Sequence, residues 1–225
     1  MGAETKIDTN LQGQRLGRKG RITRERIITA ARELIEDSET EDLSISAVAR
    51  RAELRVSSIY NYFPDLTDLF LTVLEPVIAE TEVEFLSILT EHWPDEALGE
   101  RCEAFVQAFY RFWERNVRLL HMRNAMADKH EPRVLAQRIA AARQVVNLLG
   151  VQMGGAREDV TGPEYDLASV LYTGLERVVT IATDDLLKAH YPPNIQRRFG
   201  GATLEQQARL LELAIRDERE RIAED

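Results

Sequence analysis

Residues 43–69 read LSISAVARRAELRVSSIYNYFPDLTDL, and the spacing of their apolar side chains divides them in two. Ile45, Val48, Ala49 and Ala52 recur at helical intervals and predict a short helix over 44–52, with Ser44 as its N-cap. A tight turn over 53–55 leads to a second helix running through Tyr62, on which Ile59 and Phe63, four apart, share the core-facing side. Helices this short do not hold together in water alone. The reason to keep such a pair is to present one face of the second helix to a DNA major groove, as a helix-turn-helix does. That face carries Arg55, Val56, Ser57, Ser58 and Asn61. Small residues at its start allow close approach to base edges: Val56 suits a thymine methyl, Arg55 a guanine, Ser57 several bases, and Asn61 an adenine or a phosphate. Tyr60 and Tyr62 offer hydroxyls to phosphate oxygens; the competing reading is ring packing at the edge of a core.

Working outward, Thr23 is the candidate cap of a helix over 24–37, with Arg26 where a capping box would place Glu. Ile27, Ile28, Ala31, Leu34 and Ile35 form its apolar face and the natural support for the helix pair, giving a three-helix head over 21–64. Residues 1–20 show little apolar periodicity, carry Gly2, Gly13, Gly17 and Gly20, and read as a mobile basic arm. The 225-residue chain has a net charge of −9, which as an average argues against phosphate contact. The distribution reverses that. Residues 13–35 hold seven Lys and Arg against two Glu, a balance of +5, while residues 64–225 hold eighteen against twenty-eight acids, a balance of −10. Arg18, Lys19 and Arg21, with Ser44 and Ser46 on the first helix of the pair, therefore join the DNA-binding candidates. A solvated basic tail is the bland alternative.

The hydrophobic content of 44% supports a substantial core. No run of 18 apolar residues occurs and the first residues lack the apolar centre of a signal peptide, so a cytoplasmic protein without membrane association is expected. The single cysteine, Cys102, excludes an intrachain disulfide and reads as a buried apolar thiol among Leu98, Phe105, Val106 and Phe109.

The segment 43–70, ending in the cluster Tyr60, Asn61, Tyr62, Phe63, resembles the DNA-binding signature of TetR-type transcriptional regulators, and the resemblance extends over about 22–72. It implies an all-α chain: a three-helix head with a helix-turn-helix, followed by a larger helical domain that binds an effector and forms a dimer. Three positions depart from the family pattern. Glu53 stands where a turn glycine is usual, Arg55 replaces a serine near the start of the reading helix, and Leu66 replaces a lysine that anchors a phosphate. The basic arm is expected to compensate for the last.

From Asp65, a candidate N-cap, a helix runs toward Thr90 with Leu66, Phe70, Val73, Val77, Phe85 and Ile88 inside. Pro76 removes one backbone hydrogen bond and is expected to kink or divide it, as a hinge or as a plain helix boundary. Pro94 or Asp95 opens a helix to about Val117, a shorter one carries Leu119, Leu120, Met122, Ala125 and Met126, and Pro132 opens another. A loop over 150–162 precedes a long helix from Pro163 to about His190, and Thr203 caps a last helix to about Ala223. Residues 65–225 are taken as the effector-binding and dimerisation domain.

No catalytic constellation, metal site or cofactor motif emerges. His92, His121, His130 and His190 have no ligand spacing, and neither a GxSxG nor a phosphate-loop pattern occurs, so an enzyme is not expected. Phe105, Phe109, Tyr110 and Trp113 on one helix, His121, Met122, Asn124 and Met126 on the next, and Tyr172 and Glu176 on a later one are the effector-binding candidates. They would line a mostly apolar cavity with a few polar handles, or else be ordinary core. An acidic domain disfavours a strongly anionic effector, and an apolar or aromatic small molecule is expected. The helices near 164–188 and 203–222 carry more apolar surface than a peripheral helix needs, Gly174 among Leu167, Val170, Leu171, Leu175, Val178 and Ile181. A two-fold homodimer through them is expected, which would place two reading helices on a palindromic double-stranded operator. The resulting reading is a ligand-responsive regulator; the resemblance implies a repressor released by its effector, the alternative being a ligand that stabilises the DNA-bound state. The rival is a helical small-molecule-binding protein or enzyme on a regulator-like fold without DNA binding.

Overall fold

The computed structural model describes residues 16–37, 43–155, 162–199 and 201–224, and the elements among them are helices. The chain divides into two compact units, Met1–Ile78 and Ala79–Asp225.

The first unit contains α1 (Arg18–Glu36), α2 (Ile45–Arg51), α3 (Val56–Ile59) and most of α4 (Leu66–Thr81). Ile27, Ala30, Ala31, Leu34 and Ile35 of α1 are buried with Ala47, Val48 and Ala49 of α2 and with Ile59 and Phe63, so one long helix and two short ones share one core. Leu69, Phe70, Val73 and Leu74 of α4 are buried too, and the unit boundary lies beyond them, later than the expected break at 64/65. Thr23 does not start α1. Its hydroxyl donates to the carbonyl of Lys19 from within the helix, which begins at Arg18 after an extended Gly17. Residues 18–20 of the expected mobile arm are therefore helical and Leu16 is buried, while residues 1–15 lie outside the described residues. Asp65 caps α4, its Oδ1 accepting from the amide of Asp68 at 2.8 Å. Pro76 does not divide α4, which continues through it to Thr81. The irregularity comes later, as a π-helical turn at Glu82–Leu86 leading into α5 (Ser87–Thr90).

The second unit is a helical bundle. After a 3-10 turn at Asp95–Ala97 come α6 (Leu98–Arg115), α7 (Val117–Asp128), α8 (Pro132–Gln152), α9 (Pro163–Thr183), α10 (Asp185–Ala189), α11 (Pro193–Phe199) and α12 (Ala202–Glu224). The long helix expected to reach His190 breaks at Asp184, whose Oδ1 accepts from the amide of Leu187 at 2.8 Å and so caps α10 instead. Thr203 likewise caps nothing: its hydroxyl donates back to the carbonyl of Arg198. Of the expected loop over 150–162, residues 150–152 complete α8 and 156–161 lie outside the described residues. α6 is the central helix, packed by α12, α9 and the π turn, and α8 lies against α9 and α7. Aromatic rings fill the middle: Phe85 meets Phe109 and Phe112 edge-on at 5.1 and 5.3 Å, and Phe109 meets Tyr172 at 6.0 Å. α8 and α9 approach closely at Gly150, where a Cβ would stand 2.5 Å from the Tyr165 ring.

One side chain closes the loop before α6. Gln152 donates to the carbonyls of Leu89 and Glu91 at 2.9 and 2.7 Å and accepts from the amide of Trp93 at 3.0 Å. Arg219 of α12 then takes the carbonyls of Gln152 and Trp93 at 2.7 and 2.9 Å. These bonds satisfy backbone groups that would otherwise be buried without partners. Cys102 is buried, and desolvation pushes its thiol up to about 12, so it is an apolar filler rather than a nucleophile.

Candidate nucleic-acid interface and effector cleft

The reading unit is assembled by backbone geometry. Extended Ser44 (φ −148°) turns its hydroxyl onto the amide of Ala47 at 3.1 Å and starts α2. At the other end the chain turns through Glu53 with φ +51°, and the amide of Leu54 donates to the carbonyl of Ala49 at 2.8 Å. The left-handed step is therefore made by a glutamate instead of a glycine. Arg26 of α1 braces it, donating from Nη2 to the Glu53 carbonyl at 3.3 Å. Arg55 is the extended N-cap of α3 and makes no side-chain cap, so its guanidinium is not spent on the helix start.

α3 itself is a single turn, shorter than expected. Tyr60 is its C-cap, and the amides of Tyr62 and Phe63 both donate to the carbonyl of Ile59 at 2.9 and 3.0 Å. Ile59 and Phe63 are fully buried, while Arg55, Val56, Ser57, Tyr60 and Asn61 are exposed, Val56 at 41%. Ser58 and Tyr62 are half-buried, Ser46 is exposed, and Ser44 spends its lone pair on the cap. Arg18, Lys19 and Arg21 project from the first turn of α1, and Arg21 donates to the carbonyl of Leu16 at 3.0 Å. No acid lies in that turn. The helix dipole disfavours cations at an N-terminus, so the placement opposes local stability and suits an external anion. One cation escaped the sequence reading: Arg24 lies over the Phe63 ring at 5.2 Å, a stack that only α1 packing against the tyrosine-rich turn could reveal.

In the second unit the effector candidates separate. Phe105, Phe109 and Trp113 are buried in the packed aromatic core. Tyr110 is half-exposed and donates to Glu114 at 2.9 Å, burial and that bond pushing its phenol up to about 12. Met122 and Met126 are half-buried. His121, Asn124 and Glu176 line an open cleft of about 420 Å³ between α7, α8 and α9, with Asp128, Arg138, Arg177 and Thr180 among its other walls. Tyr172 lines a second, of about 240 Å³, along α8 and α9.

Charge is what the sequence reading missed here. Buried Arg123 donates from Nη2 to Glu176 Oε1 at 3.2 Å and stacks over Trp113 at 5.6 Å. Arg138 donates to Glu176 Oε2 at 3.2 Å and to Asp128 at 3.0 Å. Both oxygens of one buried carboxylate are thus held by different guanidiniums. The signal was present: Leu120, Arg123 and Ala127 share one face of α7, and the arginine occupies an apolar register. Above this network the His121 ring stands edge-on to Trp113 at 5.9 Å with Nε2 3.2 Å from the Thr183 hydroxyl, and burial lowers its pKa. Among the described residues no group of three or more His, Cys, Asp or Glu could hold a metal ion, and no helix is long and apolar enough to cross a membrane.

Residues 27–73 match the family model described as bacterial regulatory proteins, tetR family. Two solved structures are similar over most of their length. One is a TetR-like transcriptional regulator from Rhodococcus sp. RHA1, at 20% identity and TM-score 0.49, the match covering 89% of this chain and 96% of that one. The other is a TetR-family regulator from Streptomyces coelicolor A3, at 20% identity and TM-score 0.46, covering 90% and 98%. No curated protein matches the chain.

Proposed function

From the match of residues 27–73 to the model of the tetR family of bacterial regulatory proteins, we propose that the chain is a member of that family, a dimeric repressor that binds a palindromic operator and is released by a small molecule. The observation that carries the reading is the division of the α3 turn. Ile59 and Phe63 are buried beneath it while Arg55, Val56, Ser57, Tyr60 and Asn61 stand outward together. Base edges are then read by Arg55, Val56 and Ser57, and phosphates are held by Tyr60, Tyr62 and the cations of α1. The left-handed Glu53 supports this reading against a fold that has lost DNA binding, because the turn keeps its geometry without glycine.

The dimer would use the outer face of α9. Apolar Val170 is 69% exposed there, and Gly174 has nothing nearer to its missing Cβ than Gln207 Nε2 at 3.9 Å. The chain's own packing does not require a glycine at that position, whereas a close partner helix would. On α12, Leu204, Ala208, Leu211 and Ile215 are buried within the chain, leaving Leu210, Leu213 and Ile222 outward. An electrophoretic mobility shift with the DNA upstream of the protein's own coding region tests the whole reading. A retarded band is expected for the native chain and at least tenfold weaker binding for Arg55→Ala and Tyr60→Ala. Absence of a band, or one that both variants leave unchanged, would remove it.

A further inference from the structure

The two clefts of the second unit share Arg138, Thr173 and Glu176, so they form one groove with unlike ends. One end is apolar, built by Leu135, Ile139, Ala142 and Val146 along α8, with Ile139 49% exposed. From Leu135 to Val146 is about three helical turns, roughly 16 Å. The other end is charged, and its charges are unequally committed. Glu176 has both oxygens paired, Asp184 Oδ1 holds the amide of Leu187, and Asp128 pairs with Arg138. Arg177, by contrast, has no hydrogen-bond or ion-pair partner among the described residues, so a guanidinium at this end is open to an anion, with the Asp184 carboxylate as the charge it must outweigh. The Arg138–Asp128 pair is also replaceable. Its side chains are 29% and 72% exposed, and a pair so open to water contributes little to stability.

We propose that this groove takes a small amphipathic carboxylate, its head group on Arg138 and Arg177 and its apolar body along Leu135, Ile139, Ala142 and Val146. The ligand carboxylate displaces Asp128 from Arg138, whose fork-shaped guanidinium suits two carboxylate oxygens. The acidity of the domain as a whole is not that of this end, where the guanidiniums of Arg123, Arg138 and Arg177 stand against the carboxylates of Asp128, Glu176 and Asp184. A length of about three helical turns admits a medium-length chain or an aromatic ring rather than a long lipid. The inference deepens the reading of the chain as an effector-responsive regulator and rests on it only for the ligand's role in release.

Calorimetric titration of the full-length protein with octanoate, octanol and octylammonium tests the site itself. Octanoate is expected to bind at least tenfold more tightly than the other two. Arg138→Gln should bring octanoate down to the octanol level. Because Arg138 also braces Glu176, Ile139→Asn is the companion variant: it leaves the ion pairs intact and should weaken octanoate at least fivefold with an unchanged melting temperature. Equal or tighter binding of octylammonium, no binding of any probe, or octanoate affinity unaltered by both variants would each overturn the proposal. A mobility shift with and without octanoate reports separately on regulation. Groove binding that leaves operator affinity unchanged would uphold the site and remove the effector role, whereas operator binding that fails without any ligand would count against the DNA reading alone.

Discussion

Glu53 holds φ +51° in the turn between α2 and α3, a conformation that costs an L-residue about 1–2 kcal/mol and glycine almost nothing. Glu53→Gly relieves that strain but frees the unfolded chain, so a net gain of about 0.5–1 kcal/mol is expected, while β-branched Glu53→Val should lose at least as much. The Arg26 brace reaches the backbone carbonyl and survives both changes. Chemical denaturation of the three proteins measures this, and identical midpoints for glycine and valine would mean the turn is unstrained. His121 makes the opposite kind of contribution, one that depends on pH. Burial lowers its pKa from 6.5 in spite of Asp184 and Asp185, so the unfolded chain takes up the proton first as pH falls. Stability from the neutral ring is complete above about 6.5 and is lost as pH drops through the lower folded-state value. His121→Asn should flatten the decline of stability below pH 6.5; parallel curves for variant and native protein would rule the histidine out.

At the scale of elements, α1 combines two tasks that conflict at its first turn. Its C-terminal two-thirds supports the helix pair through Ile27, Ala31 and Leu34, while Arg18 and Lys19 sit where the helix dipole disfavours them by about 0.3–1 kcal/mol each. Arg18→Gln with Lys19→Gln is therefore expected to leave the head as stable or slightly more so, and to lower the log–log salt slope of operator binding by about 0.9 for each phosphate no longer neutralised. A binding titration over a range of salt concentrations in which the double variant keeps the native slope would place the anchoring cations elsewhere, Arg24 over Phe63 being the first to examine. The existence of α1, α2 and α3 was legible because each carries an apolar face with a helical period, and Ser44 caps α2 as its position required. The ends were not. Thr23 and Thr203 have capping chemistry but spend their hydroxyls on carbonyls a turn behind them, and Asp184 breaks a helix whose apolar pattern runs on. Local hydrogen bonds decide such boundaries, and periodicity carries little information about them. The aromatic residues of α6 stayed open between two readings for a related reason: a stripe of rings reads alike whether it lines a cavity or packs a core, and here Phe85 and Tyr172 stack on Phe109.

For the whole molecule, the proposed binding of a palindrome requires two heads to act together. A single α3 turn presents few side chains, and one such unit would hold a half-site weakly, whereas two joined units bind a palindrome with an affinity raised by their effective concentration. The joining surface proposed on α9 can be broken without disturbing the chain's own core, because Val170 is largely exposed and α9 buries Leu171, Leu175 and Val179 on its other side. Val170→Asp places a charge on each copy at the same patch, and in a two-fold interface the two charges meet. Sedimentation at micromolar concentration should then fall from a dimer to the 25.7 kDa chain, with the melting of the monomer little changed. Affinity for a full palindrome should drop at least a hundredfold, while affinity for an isolated half-site stays as it was. A variant that still sediments as a dimer would move the interface to another face, and one that loses half-site binding as well would mean that the substitution had unfolded the protein instead of separating it.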